Sequence, residues 1–72
     1  MATAVEHDPA VEPLLYRIEG AMKLLNLSRT VIYEQIRAGR LRAVRQGRAR
    51  RIPASAIGEY VALLEREAGG DR

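Results

Sequence analysis

The sequence predicts a mainly α-helical domain of three helices with one small two-stranded β-hairpin. Three observations predict it. Apolar residues recur at helical spacing in two stretches, Ile18-Ala21-Met22-Leu25 and Ile57-Tyr60-Val61-Leu64. A capping serine, Ser28, and a stop glycine, Gly39, bracket a third helical stretch between them. Two short β-type runs then flank Gln46-Gly47-Arg48-Ala49, which reads as a turn.

In chain order, residues 1–13 are small and charged, and Pro9 and Pro13 interrupt them, which predicts a disordered tail. His7, the single histidine, lies in that tail without a metal-binding or catalytic companion. Leu14 to Arg17 reads as a short edge strand leading into helix 1, from about Ile18 to Leu25, with Leu24 widening its apolar stripe. Gly20 costs that helix about 1 kcal/mol against alanine, and close packing is the one reason the sequence offers for it. Asn26 follows as a turn residue that tolerates the left-handed conformation.

Ser28 is a good N-cap for helix 2, which runs to about Ala38 before Gly39. Its inner face is Ile32 and Ile36, and its outer face is Thr30, Tyr33, Glu34 and Arg37, with Arg29 beside that face. Two short helices joined by about three residues form a helix-turn-helix pattern. Leu41 to Arg45 and Arg50 to Ile52 read as the hairpin strands, with Gly47 supplying positive φ in the turn. Pro53 ends the second strand and suits the first turn of helix 3, from about Ala54 to Glu67. Gly69-Gly70 closes that helix, so the domain spans 14–67 and residues 68–72 form a frayed tail.

Charge is segregated along the chain. The formal net charge is +3, yet residues 28–58 hold eight arginines against Glu34 alone, while 1–27 and 59–72 are each net acidic. From Arg37 to Arg51, seven of fifteen residues are arginine and none is acidic. Such a cluster repels itself, and arginine forks well onto phosphate and guanine, so the pattern points to a polyanion. Acidic residues near the terminus could neutralise part of it. Tyr33 on the outer stripe favours a hydroxyl aimed at a phosphate, against packing beside Ile32 and Ile36. Glu34 either accepts from a cytosine amino group or pairs with Arg37 one turn on. Arg51, just before Ile52, either meets phosphate or pairs with a helix carboxylate. Tyr60, on the inner stripe of helix 3, belongs to the core.

From Tyr16 to Tyr60 the chain resembles the excisionase-type, MerR-like winged-helix DNA-binding domains. The resemblance rests on Leu27-Ser28-Arg29, Ile32-Tyr33, Ile36-Arg37, Gly39-Arg40-Leu41, Arg45-Gln46-Gly47-Arg48 and Arg51-Ile52-Pro53. It departs at Arg17, where the family often caps helix 1 with threonine or serine, and at Asn26, Glu34 and Ala49. The resemblance implies a winged helix-turn-helix in which helix 2 enters the major groove and the hairpin, the wing, follows the neighbouring minor groove. Carried over by position, Ser28, Arg29, Thr30, Tyr33, Glu34 and Arg37 form the recognition-helix set. Arg45, Gly47, Arg48, Arg50 and Arg51 form the wing set.

Other function classes lack residues. There is no cysteine for a disulfide or thiolate site, no cofactor motif, and no nucleophile–base, histidine or paired-carboxylate set, so no enzyme, metal site or cofactor is expected. No apolar run approaches the roughly 20 residues of a membrane span, and the N-terminus lacks the basic and apolar blocks of a secretory signal. A cytoplasmic, nucleoid-associated protein is expected. RNA-binding sheets stack bases on exposed aromatics, and this chain has no Phe or Trp; an arginine surface for an acidic protein is the other competing class. The expected partner is double-stranded DNA, met by about five to seven arginine–phosphate contacts. The expected role is an excisionase, or recombination directionality factor, working beside a site-specific integrase. A small MerR-like transcriptional regulator is the alternative. With no dimerisation helix in view, a monomer that self-associates head to tail on DNA is expected.

Overall fold

A computed structural model describes residues 13–69; the expected N-terminal tail and the last three residues lie outside the described residues, apart from Pro13. The elements are β1 (Leu15–Tyr16), α1 (Ile18–Leu25), α2 (Arg29–Arg37), β2 (Val44–Gln46), β3 (Ala49–Pro53) and α3 (Ala54–Gly69). This is the expected mainly helical architecture with its hairpin.

Local chemistry sets most boundaries. Arg17 sits at the N-cap of α1 without a side-chain hydrogen bond to the helix. Asn26 ends that helix in the left-handed region at φ 58°, and its N–H and that of Leu27 both donate to the Met22 carbonyl. Ser28 opens α2, its Oγ accepting from the Val31 N–H at 3.3 Å. Gly39, at φ 79°, closes α2: its N–H donates to the Ile36 carbonyl and that of Arg40 to the Gln35 carbonyl, the paired bonds of a Schellman motif.

The hairpin pairs Val44 with Arg51, Arg45 with Arg50, and Gln46 with Ala49. Its two-residue loop, Gly47-Arg48, has positive φ only at Gly47, the pattern of a type II′ turn whose twist suits antiparallel strands. The first hairpin strand begins at Val44, not at Leu41. The Leu41 N–H still bonds the Gln35 carbonyl at 3.1 Å, so the chain is wrapped over the end of α2 there and its side chain fills the core. β1 pairs with the far edge of β3, Leu15 opposite Pro53, so the sheet has three strands in the order β1-β3-β2. Pro53 is the last residue of β3, and α3 starts at Ala54.

Ile18, Ala21, Ile32, Leu41, Ile52, Ala56 and Tyr60 form the core, drawn from α1, α2, β3, α3 and the segment after α2. α3 meets that core through Ala56 and Tyr60. Val61 and Leu64, expected on its inner stripe, are each 39 % exposed. The helix is 16 residues long, about 24 Å, and the small core covers only its first turns. The added Cβ of an alanine at Gly20 would meet the Tyr16 ring at an ordinary 3.5 Å, so close packing does not demand that glycine.

Candidate nucleic-acid interface

α2 turns Ile32 fully inward, which leaves Arg29, Thr30, Glu34 and Arg37 exposed along its outer face. Arg29 donates to Glu19 of α1 at 2.9 Å, a bond that holds the Glu19 carboxyl below its ordinary range and raises the guanidinium. The pair fastens the two helices of the motif at their exposed edge. Glu34 makes no ion pair among the described residues, so the pair with Arg37, one of its two readings, is not formed there.

Tyr33 is half-buried and packs against the core, and the Arg50 guanidinium lies over its ring, 5.8 Å from the centroid. The packing reading of its sequence position therefore holds in part, and the ring face turned to Arg50 lies outside both readings. Arg50 and its cross-strand partner Arg45 share one face of the hairpin. Like charges directly opposite one another destabilise a hairpin, and no carboxylate relieves them among the described residues. Arg51, on the other strand face beside Val44, donates only to the Arg50 carbonyl at 3.4 Å, so the carboxylate alternative for it is not realised. Gly47 and Arg48 occupy the exposed wing tip.

Between α2 and the wing runs an open groove of about 500 Å³ lined by Tyr33, Ile36, Arg37, Ala43, Val44, Arg45 and Arg50. Four of the expected site residues therefore meet in one place: Tyr33, Arg37, Arg45 and Arg50. Ser28, Arg29, Thr30 and Glu34 lie on α2 beyond the groove, and Gly47, Arg48 and Arg51 on the remainder of the wing. The groove floor of Ile36, Ala43 and Val44 escaped the sequence reading, because the segment after Gly39 reads as strand from Leu41 onward. The groove lining sets these apolar side chains beside the guanidinium groups of Arg37, Arg45 and Arg50.

Two arginines of the basic run are used differently. Arg40 forks onto Glu67 of α3 at 2.7 and 2.8 Å, while its Nε donates to Gln35 Oε1 at 2.8 Å. The Tyr60 hydroxyl donates to the same Gln35 oxygen at 3.2 Å. The hydrogen bond from Arg40 pulls the Glu67 carboxyl below its ordinary range. Arg42 reaches Glu59 at 3.1 Å and the Ser55 hydroxyl at 2.9 Å. Both tie the end of α2 and the chain after it to α3. Gln35, which joins the side chains of Arg40 and Tyr60, had no signal in the sequence beyond its place near a helix end.

Among the described residues no cluster of His, Cys, Asp or Glu could hold a metal ion, and no helix is long and apolar enough to cross a membrane. Residues 15–62, from β1 into α3, match the family model described as a helix-turn-helix domain. The chain is 45 % identical over 51 residues to a protein of Saccharopolyspora erythraea named "Probable excisionase". That match covers 71 % of this chain and 52 % of the relative, so the chain spans about half the length of the curated relative it matches. No solved structure matches it. With the matched segment taking in both helices of the motif, the hairpin and the start of α3, the chain belongs to the helix-turn-helix domain family, and within it is similar to the excisionase type.

Proposed function

We propose that this protein is an excisionase that binds double-stranded DNA with α2 in the major groove and the wing along the neighbouring minor groove. The observation that carries the reading is where the arginines without an ion pair among the described residues are. Of the seven in the basic run, Arg40 and Arg42 are taken by α3 carboxylates, and the other five belong to the end of α2 and to the wing. Arg45, Arg48, Arg50 and Arg51 anchor phosphates and supply affinity. Thr30, Glu34 and Arg37, with Ser28 and Arg29 in the first turn, face base edges and backbone of the major groove and supply sequence preference. The name of the relative supports the excisionase role, in which the chain works beside a site-specific integrase and performs no chemistry itself.

A single module of this size buries roughly 600–1,000 Å² on DNA, too little for tight specific binding by one copy. Several copies on tandem sites, touching head to tail and bending the DNA, meet that need. Gel shifts on duplexes with one or three tandem sites, and circularly permuted probes, test this. Cooperative filling of three sites with a position-dependent mobility change is the expected result. Independent filling of straight DNA would remove the excisionase role and leave a small regulator of the same fold. Failure to bind duplex at all, with an acidic protein or single-stranded RNA retained instead, would remove the DNA reading.

A further inference from the structure

The wing is a two-residue-loop hairpin, and β2 is its outer edge. Short hairpins of this kind have little independent stability, so something must set their angle to α2. β3 is anchored at one end by Ile52 and Pro53 in the core and by β1. Toward the tip, α2 meets the wing where Arg50 covers the Tyr33 ring. Arg50 cannot settle there for want of alternatives: it faces Arg45 across the strands, and solvent is open to it. A ring face attracts a guanidinium through its quadrupole within about 6 Å of the centroid, and stacking leaves the N–H fork free at the edge. The fork then stands at the groove that Arg37 and Arg45 also line.

We infer that Tyr33 is a positioning residue: its ring, and not its hydroxyl, holds Arg50 over the groove and so couples the recognition helix to the wing. This rests on the DNA-binding reading above and deepens it. The role that Tyr33's place on the outer stripe suggested, a hydroxyl on phosphate, is replaced by one in which the ring face does the work. Two consequences separate the roles. The ring alone suffices, so Tyr33→Phe keeps the function and Tyr33→Leu loses it. And the loss passes through Arg50, so Tyr33→Leu adds nothing once Arg50 is gone.

The test has two arms. On the free protein, NMR reads the ring-current shift of the Arg50 side-chain protons, which is expected in the native chain and in Tyr33→Phe and absent in Tyr33→Leu. On duplex DNA, fluorescence anisotropy reads the affinity of Tyr33→Phe, Tyr33→Leu, Arg50→Gln and the Leu/Gln double variant, with circular dichroism reporting folding. Tyr33→Leu is expected to weaken binding about two- to fivefold, the range of one partly exposed cation–π contact. Tyr33→Phe should bind like the native chain, and the double variant like Arg50→Gln alone. Arg50 protons that ignore the ring, equal losses in Phe and Leu, or losses that multiply in the double variant would each overturn the inference. A native chain with the ring-current shift but no affinity for duplex would instead overturn the DNA reading and, with it, the purpose assigned to the contact.

Discussion

Arg40 and Arg45 stand five residues apart in the same basic run, and the fold gives them opposite surroundings. Arg40 meets a carboxylate, an amide oxygen and, through it, a tyrosine hydroxyl. Arg45 meets another arginine. Arg42 follows Arg40, and Arg50 follows Arg45. On the α3 side the positive charge is matched and holds elements together; on the wing side it is concentrated and, among the described residues, unmatched. Among the described residues no carboxylate is aimed at Arg45 or Arg50, the arrangement that the proposed DNA contact would use. Stability is spent there, since like charges face each other across two strands.

The largest expected effect lies in DNA affinity and its salt dependence. With the four wing arginines on phosphates, log K against log salt should slope about −3.6 for the native chain, from roughly −0.9 per phosphate contact. Changing Arg37, Arg45 and Arg50 together to glutamine should flatten the slope to about −1.8 and weaken binding by orders of magnitude at low salt. Changing Arg40 and Arg42 together should leave the slope where it was. Equal flattening by both sets would erase the distinction between the two groups.

A smaller effect, opposite in sign between the groups, is expected in thermal stability. Arg40→Gln removes the fork onto Glu67 and should lower Tm. Arg45→Gln relieves the cross-strand repulsion and should leave Tm unchanged or raise it, even as it weakens DNA binding. Circular dichroism melts at low salt check both. A fall in Tm for Arg45→Gln equal to that for Arg40→Gln would mean that the wing arginines also serve the fold.

The smallest effect is in pH. Glu67, and Glu19 beside Arg29, are held below their ordinary value of 4.5 by arginine hydrogen bonds. A carboxylate depressed in the folded state adds stability above its unfolded pKa and loses it as pH falls through the lower folded value. Stability should therefore decline as pH falls through and below the ordinary carboxylate value, and Glu67→Gln should flatten part of that decline. Both pairs are exposed and screened by solvent, so the change is modest and fades in high salt. A Glu67→Gln profile that overlays the native one would show that the fork onto Arg40 contributes nothing to folding.

Much of this fold was legible in the residues because it is local. Ser28 caps a helix through an N–H three residues on, and the helix ends at Gly39 and Asn26 are closed through carbonyls three to five residues back. Gly47 turns a hairpin within its own loop. Interactions that short depend on residue type and spacing, which a sequence states directly, and the segregation of arginine into 28–58 is stated as directly. Only the tertiary structure decided which arginines are free. Arg40 finds its carboxylate 27 positions away and Arg42 finds its own 17 away, so neither partner follows from any period. The same holds for Tyr33, whose ring lies under Arg50 of β3, 17 positions on, and for Val61 and Leu64, which kept helical spacing and lost their core. Periodicity says which residues share a face; what that face meets depends on how whole elements are set against one another, and a core this small can cover only part of what the sequence offers it.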